Sequence, residues 1–206
     1  MNSLRSWDAA YERGALAWRG TTNFEPKPAL RKGSRVLELG CGNGKNLSAL
    51  FGKGWNIYAV DFSPEAARQS AELCRKRGEK CLVSVQDVRS LLFRDSFFDA
   101  VVCFHVIGHV RKEERRTIAA EIKRVLKKNG LVFLRVFGEG DFRNGKGKKE
   151  GDCFVRKGIP THYFSEKEVM SLFRGWRCLS LDSEKWSVTY DGKKLPREQI
   201  RAVFRK

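Results

Sequence analysis

The sequence contains little histidine and has no long apolar run. Only three histidines and six cysteines occur among 206 residues, and none has the C-x-x-C or Cys/His spacing of a zinc site. We therefore expect no metal centre and a reducing compartment, in which the cysteines serve as small core residues. No stretch reaches the roughly 18 apolar residues that a membrane span needs. The first residues carry charges where a signal peptide would be apolar, so we expect a cytoplasmic protein with no membrane partner.

Acidic residues are also scarce relative to basic ones. The chain has 24 Asp and Glu against 41 Lys and Arg, for a formal net charge of +17. Such an excess favours an acidic partner such as RNA, DNA or an anionic small molecule. A proteome rich in Lys and Arg, as in some thermophiles, would give the same composition. The hydrophobic fraction of 41% is sufficient for one compact domain.

Strand-like and helix-like patterns alternate along the chain. Strands are predicted at residues 35–39, 56–61, 82–86, 98–104 and 131–137. Helices are predicted in the first 30 residues, at 45–51, 63–77 and 113–127, and from Ser165 onward. Two final strand-like stretches, 177–181 and 199–204, lack a helix between them and predict an antiparallel hairpin. The alternation predicts an α/β fold: a doubly wound, Rossmann-like, mostly parallel seven-stranded sheet with helices on both faces.

A glycine-rich turn follows the first predicted strand in the segment VLELGCGNGKN, residues 36–46. In a doubly wound sheet, ligands bind where the strands end, and glycines let the backbone turn tightly and approach a ligand. The spacing does not fit the dinucleotide pattern G-x-G-x-x-G from Gly40 or from Gly42, and it does not fit a phosphate P-loop. Glu38 would repel a pyrophosphate, but it would favour a ligand with a positive charge or an amine.

Glu38, Gly40, Gly42 and Gly44 resemble motif I of the class I S-adenosylmethionine-dependent methyltransferases. The ligand of that family carries an ammonium and a sulfonium and no phosphate. The resemblance spans residues 34–137 in the family's order, including FDAVVCFHVIGHV and EIKRVLKKNGLVFLRVF. It implies one methyltransferase domain over residues 1–206, with an N-terminal helical lid (1–30), a cofactor-binding core (34–137) and a substrate-side loop with the C-terminal hairpin (138–206).

The resemblance also implies which residues contact S-adenosylmethionine and its product S-adenosylhomocysteine. Asp61 ends the second predicted strand, where an acid binds ribose hydroxyls. Asp87 and Val88 follow the third strand, where the family reaches the adenine. The remaining implied cofactor contacts are Cys41, Phe62, Phe104, Trp18 and Arg19. In the lid, Arg19 would meet the cofactor carboxylate, although aromatics at the spacing of Trp7, Tyr11 and Trp18 are equally typical of a core.

Two histidines are candidates for a catalytic base. Methyl transfer requires a general base only if the acceptor atom arrives protonated. His105 and His109 follow the strand that would face the methyl group, and histidine titrates near neutral pH. Packing beneath the cofactor, or capping a helix, would also explain them. His162 and Tyr163 are candidates for lining the acceptor site, although a structural role at the start of a helix explains them as well.

The identity of the acceptor is open at this point. No [Asn/Asp]-Pro-Pro-[Tyr/Phe] or Pro-Cys motif follows the fourth strand, which argues against two familiar styles of base methylation. We expect a small-molecule acceptor. The basic, Gly-rich residues 143–157 and the segment KEERRTIAAEIKRVLKKNG favour a tRNA or protein acceptor instead. That segment is similar to the tRNA wobble-uridine methyltransferases, which implies a possible small activator subunit. A cofactor-binding module without catalysis is the third alternative.

Overall fold

A computed structural model describes residues 3–13 and 24–206 of the chain. The helices in this part of the chain are α1 Ser3–Glu12, α2 Pro64–Arg77, α3 Lys112–Val125 and α4 Glu166–Leu172. The strands are β1 Arg35–Leu39, β2 Asn56–Asp61, β3 Cys81–Val85, β4 Phe98–Phe104, β5 Leu126–Phe137, β6 Lys148–Glu150, β7 Cys153–Arg156, β8 Ile159–Thr161, β9 Arg177–Tyr190 and β10 Lys193–Arg205. Short 3₁₀ turns cover Leu47–Leu50 and Ile107–His109.

Seven of these strands form one sheet in the order β3-β2-β1-β4-β5-β10-β9. The first five are mutually parallel, whereas β10 is antiparallel to both β5 and β9. The strand order reverses beside β1, so the carboxyl ends of β1, β2, β3 and β4 meet at one edge of the sheet. This architecture confirms the predicted doubly wound sheet with its C-terminal antiparallel hairpin.

The core forms two layers, one on each face of the sheet. Along β4, Val101 and Cys103 belong to the layer under α3 and α4. Val102 and Phe104 belong to the opposite layer, which also contains Cys74 of α2 and the 3₁₀ turn at Leu47–Leu50. Because successive residues of a strand point to opposite faces, a strand buried on both faces is a continuous apolar run. Helices on both faces are therefore confirmed.

Local sequence signals set the ends of α2. The Ser63 hydroxyl accepts a hydrogen bond from the Ala66 amide at 3.1 Å, and Pro64 occupies the first turn. Gly78 ends the helix in the left-handed conformation at φ +64°, which glycine adopts without steric cost. The Ser63 cap therefore fixes the start of α2 directly after the carboxyl end of β2.

The prediction of a helix over residues 45–51 was wrong. Only the 3₁₀ turn Leu47–Leu50 forms, and Asn46 before it makes no side-chain capping bond. Leu47 and Leu50 are both buried, and their spacing of three residues matches the 3₁₀ period rather than an α-helical face.

Two β features are larger than the sequence predicted. The C-terminal hairpin has strands of 14 and 13 residues joined by Asp191 and Gly192, both with positive φ. In addition, β6, β7 and β8 form a separate antiparallel sheet, hereafter the small sheet, within a segment predicted as a loop. Within the described residues, none of the helices has the length and apolar character that crossing a membrane requires.

Candidate functional site

A cavity of about 550 Å³ lies at the carboxyl edge of β1, β2, β3 and β4. Its walls come from the glycine turn, the residues that follow β2, β3 and β4, helix α1 and the small sheet. The predicted residues that line it are Gly40, Cys41, Gly42, Asp61, Phe62, Asp87, Val88, Phe104, His105 and His109. Its size falls within the range of small-molecule sites, roughly 300–1,000 Å³. The structure thus brings most of the predicted site residues together.

The glycine turn is bound to the end of β2 through Asp61. The Gly42 amide donates to Asp61 Oδ2 at 2.9 Å, and the Ser63 amide donates to Asp61 Oδ1 at 3.0 Å. Burial raises the pKa of Asp61, and these backbone donors oppose that shift. Each carboxylate oxygen has a second lone pair, so Asp61 can still accept hydrogen bonds from hydroxyl groups in the cavity.

The three glycines are required by their conformation and by their neighbours. Gly40, Gly42 and Gly44 all have φ between +55° and +83°, where a side chain would be strained. A Cβ on Gly42 would come within 2.8 Å of the Tyr11 hydroxyl, and one on Gly44 within 2.5 Å of Leu73 Cδ2. The turn is therefore packed between α1 on one side and α2 on the other.

Glu38 is a buried acid one layer behind the cavity wall. It is 1% exposed, and neither carboxylate oxygen has a hydrogen-bond partner among the described residues. Burial, and after it the negative charge of Asp61, raises the pKa of Glu38 well above the usual range. No basic side chain in the described part of the chain forms an ion pair with Glu38 or Asp61. This region would therefore be stabilised by a positively charged ligand group.

Helix α1 covers the glycine turn. Trp7 and Tyr11 line the cavity with ring centroids 6.0 Å apart, and Trp7 makes an edge contact with the His109 ring at 5.1 Å. The Ser63 hydroxyl also donates a short hydrogen bond to Asp8. Helix α1, which falls within the segment predicted as a lid, thus lies over the glycine turn, whereas Trp18 and Arg19 lie outside the described residues.

Asp87 lies on the cavity wall beyond the end of β3. Arg89 donates hydrogen bonds to the Asp87 carboxylate from Nε at 2.9 Å and from Nη2 at 2.5 Å. This pairing lowers the pKa of Asp87. Arg89 also forms a short ion pair with Glu114 of α3. Asp87 is therefore an ionised acceptor beside Val88, at the position predicted for adenine contacts.

His105 and His109 face the cavity as neutral imidazoles. Burial lowers the pKa of His105 to about 3 and that of His109 to about 4. His109 Nδ1 lies 2.9 Å from the Pro160 carbonyl oxygen, so Nδ1 carries the proton and Nε2 holds a free lone pair. The His105 ring stacks on Phe137 at 4.2 Å. With such low pKa values, both rings are weak bases near neutral pH.

His162 and Tyr163 are not brought into the cavity. Both are buried, and the His162 ring lies between the Asp152 carbonyl oxygen at 2.7 Å and Glu168 Oε1 at 2.9 Å. Arg115, 3% exposed, forms a bidentate pair with Asp152 beside them. The cluster Asp152, His162 and Glu168 has the spacing of metal ligands, but the Arg115 guanidinium already supplies the cation. This group joins the small sheet to α3 and α4.

Sequence reasoning missed two parts of the site. Lys45, directly after the glycine turn, lines the cavity, and burial lowers its pKa. The small sheet also contributes a wall, with Lys148, Glu150, Val155 and Pro160. Lys45 was within reach of a sequence argument because it adjoins Gly44. The small sheet was hidden by the basic, Gly-rich composition of its segment.

Comparisons with known proteins agree with this geometry. A family model described as a methyltransferase domain matches residues 37–134. The chain is 30% identical over 194 residues to mouse tRNA N(3)-cytidine methyltransferase METTL6, covering 82% of this chain and 67% of that protein. It is 34% identical over 122 residues to tRNA (carboxymethyluridine(34)-5-O)-methyltransferase alkbh8 of Xenopus tropicalis, covering 58% of this chain.

A solved structure extends the similarity to the whole fold. A SAM-dependent methyltransferase from Methanosarcina mazei superposes with a TM-score of 0.75 at 26% identity, covering 90% of this chain and 99% of that one. The chain spans only 18% of the Xenopus protein and 44% of tRNA N(3)-cytidine methyltransferase METTL2 of Gallus gallus. These relatives therefore contain long regions that this chain does not match.

Proposed function

Because the chain belongs to the class I S-adenosylmethionine-dependent methyltransferases, we propose that it transfers a methyl group from S-adenosylmethionine to a pyrimidine nucleotide of tRNA. The main support for the proposal is the contact between the glycine turn and Asp61 at the cavity, where the Gly42 amide donates a hydrogen bond to Asp61 at 2.9 Å. That junction joins the predicted site for the methionine part of the cofactor to the predicted site for its ribose.

The cavity residues fit this cofactor chemically. The buried carboxyl of Glu38, which has no partner among the described residues, and the neighbouring Asp61 suit a ligand with a positively charged end. Asp61 would hold the ribose hydroxyls, and ionised Asp87 would accept a hydrogen bond from the adenine amino group. Gly40 and Gly42, which line the cavity, would give the methionine part a surface free of side chains, and Gly44 would let the turn pack on α2. Cys41, Phe62, Val88 and Phe104 would complete the wall.

The bound cofactor supplies an electrophilic methyl group, which the nucleophilic atom of the acceptor displaces from sulfur. The chain's contribution is to align the reacting groups and to exclude water. Trp7 and Tyr11 of α1 would close the cavity over the cofactor. His109, with Nε2 as an acceptor, would orient an N–H or O–H of the acceptor rather than act as a strong base. His105 would pack beside it through its stack on Phe137.

A tRNA acceptor is supported by the relatives. METTL6 is named for tRNA cytidine methylation and the Xenopus protein for a tRNA uridine derivative; both names specify a pyrimidine nucleotide in tRNA. The net charge of +17 suits a polyanionic substrate. The rings of Trp7 and His109 in the cavity wall suit an unstacked base. We therefore place tRNA ahead of the small-molecule acceptor that the sequence patterns alone favoured.

A small activator subunit remains a prediction carried by the similarity of α3 to the wobble-uridine enzymes. The division into lid, core and substrate-side region, the substrate roles of His162 and Tyr163, and the cytoplasmic location remain predictions as well.

The proposal is tested by methyl transfer from S-adenosylmethionine carrying a labelled methyl group. The purified chain is incubated with total tRNA and, in parallel, with unmodified tRNA transcripts, and the RNA is digested to nucleosides for mass spectrometry. Label in a cytidine or uridine derivative is expected, and Asp61→Asn should reduce it. Unlabelled RNA from a protein that binds S-adenosylhomocysteine would overturn the tRNA acceptor.

A further inference from the structure

Two arginines converge on one buried acid just after β5. Asp141 is 2% exposed and accepts hydrogen bonds from Arg143 Nε at 2.8 Å and Arg197 Nε at 2.6 Å. Arg143 Nη2 reaches the second oxygen of Asp141 at 3.0 Å. Burial acts to raise the pKa of Asp141, but the bonds from the two guanidiniums together outweigh it, so the pKa is lowered and Asp141 stays ionised. One carboxylate thus holds two cations together, and the cluster keeps a net positive charge.

The loop that carries Asp141 is fixed to the C-terminal hairpin. Glu198 of β10 accepts a hydrogen bond from the Gly140 amide, and Ser183 of β9 donates to the other Glu198 oxygen at 2.8 Å. A Cβ on Gly138 or Gly140 would lie within 2.7 Å of Glu198 side-chain atoms, so a larger residue at either position would displace this side chain. Arg143 and Arg197 are consequently held in place before any ligand arrives.

The arginine pair lies beside the cavity. The Phe137 ring is 4.1 Å from the Arg143 guanidinium carbon and 5.7 Å from that of Arg197. The same ring stacks on His105 at 4.2 Å, and His105 lines the cavity. The pKa of Lys45, also in the cavity wall, is lowered by burial and then by nearby positive charges, including Arg197. Positive charge is therefore concentrated next to the part of the cavity wall that His105 and Lys45 form.

Both arginines have donors left for a ligand. Their side chains are 26% and 19% exposed. Within residues 3–13 and 24–206, Arg143 Nη1 and both terminal nitrogens of Arg197 make no hydrogen bond. The planar guanidinium group with free terminal N–H donors matches the geometry of phosphate oxygens. Trp186, 5.3 Å from the Arg197 guanidinium carbon, adds an aromatic surface on the same side.

We propose that Arg143 and Arg197 form a phosphate-binding fork beside the cavity, which holds a backbone phosphate of the RNA next to the nucleotide that enters the cavity. This inference rests on the proposed tRNA acceptor and identifies the part of the protein that would bind the tRNA backbone. A phosphate on a small molecule would offer the same chemistry. The two ligands are distinguished by how strongly their affinity depends on salt concentration and on the length of the RNA.

The test is the salt dependence of tRNA binding by variants of the fork. Total tRNA is titrated with wild type, Arg143→Gln, Arg197→Gln and a matched control, Arg77→Gln, which removes one charge from the exposed end of α2. Loss of one phosphate contact should reduce the slope of log affinity against log salt by about 0.7–0.9. Each fork variant should show that reduction with weaker binding at low salt, and the control should not.

A second pair of variants tests whether the glutamine variants weaken binding merely by disturbing the fold of the loop. Arg143→Lys and Arg197→Lys keep the charge but lose the planar fork, so tRNA affinity should fall several-fold with a nearly unchanged salt slope. Binding of S-adenosylhomocysteine, measured on every variant, shows whether the cavity is intact. Cytidine 5′-monophosphate serves as the small-molecule probe.

The outcomes separate this inference from the proposed function. If wild type binds tRNA and both glutamine variants behave like Arg77→Gln, the fork is wrong and the proposed function stands. If wild type binds S-adenosylhomocysteine but no tRNA, the tRNA acceptor fails and the fork fails with it. If the fork variants lose affinity for cytidine 5′-monophosphate but keep that for tRNA, the RNA backbone is not the ligand.

Discussion

The backbone amide of Gly42 donates a hydrogen bond to Asp61 Oδ2 at 2.9 Å, across 19 residues of sequence. This bond links the turn after β1 to the end of β2, together with the bond from the Cys41 amide to the Val60 carbonyl oxygen at 3.0 Å, so the two halves of the proposed cofactor site are held against each other. The Asp61 carboxylate therefore both holds the glycine turn in place and faces the cavity.

Replacing Asp61 by asparagine should weaken the site and the fold together. An asparagine offers one acceptor oxygen where the Gly42 and Ser63 amides use two, so about 1–3 kcal/mol of stability should be lost. Hydrogen bonds to a carboxylate are about twice as strong as neutral ones, and affinity for S-adenosylhomocysteine should fall about tenfold or more. Chemical denaturation and calorimetry measure the two effects. Glu72→Gln, on the outer face of α2, is the control, and an Asp61→Asn affinity equal to that control would contradict the ribose role.

Replacing Glu38 by leucine should have opposite effects on stability and on binding. Burial raises the pKa of Glu38 in the folded state, so this group costs stability progressively as the pH rises from its unfolded pKa toward its folded pKa. Removing a buried polar group that has no hydrogen-bond partner among residues 3–13 and 24–206 should stabilise the cofactor-free protein at neutral pH by about 1–3 kcal/mol. The same change should weaken binding of the ammonium end that S-adenosylmethionine and S-adenosylhomocysteine share.

The measurements for Glu38→Leu are unfolding in denaturant at pH 5 and pH 8, and calorimetric titration with S-adenosylhomocysteine. The stability gain should be larger at pH 8 than at pH 5. A variant that is less stable than wild type at both pH values would show that Glu38 has a stabilising partner and would contradict its description as an unpaired buried acid.

His105 and His109 should remain neutral throughout the physiological range. Their pKa values of about 3 and about 4 lie below the unfolded value of about 6.5. Both should therefore stabilise the fold above pH 6.5, and this contribution should be lost as the pH falls toward 4. In NMR spectra, their imidazole resonances should not shift between pH 6 and 8, with assignments taken from His105→Asn and His109→Asn. A midpoint near 6.5 for either ring would restore it as a candidate general base.

The ion pair between Arg115 and Asp152 should stabilise the small sheet. Fully buried pairs cost about 3–5 kcal/mol when one partner is removed, but the Asp152 side chain is 32% exposed, so Asp152→Asn should cost about 2 kcal/mol. Lys127→Gln, which removes a more exposed pair with Asp99, should cost about 1 kcal/mol or less. Equal losses of stability in the two variants would show that the Arg115 pair has no special role.

Much of the fold was readable from the sequence because its signals are local. Ser63 and Gly78 mark the ends of α2 through short-range hydrogen bonds, and the apolar run of β4 reports burial on both faces. The hairpin signal at Asp191-Gly192 was equally local, since both residues favour the positive φ of a two-residue turn, yet the intervening polar residues concealed the length of β9 and β10.

The rest depended on contacts that no local pattern encodes. Lys45–Phe51 has the residue types of a helix, but the burial of Leu47 and Leu50 decides for a 3₁₀ turn. His162 has the residue type of a site ligand, yet Asp152 and Glu168 occupy both of its nitrogens. In the same way, Arg197 lies 56 positions after Asp141 in the chain, and the pairing of β5 with β10 brings these two residues together.

The most direct test of the account is a calorimetric titration of the purified chain with S-adenosylhomocysteine. We expect micromolar binding with one site per chain, and S-adenosylmethionine should compete for that site. No detectable binding to a protein that unfolds cooperatively would contradict the assignment of the glycine turn and Asp61 as the cofactor site.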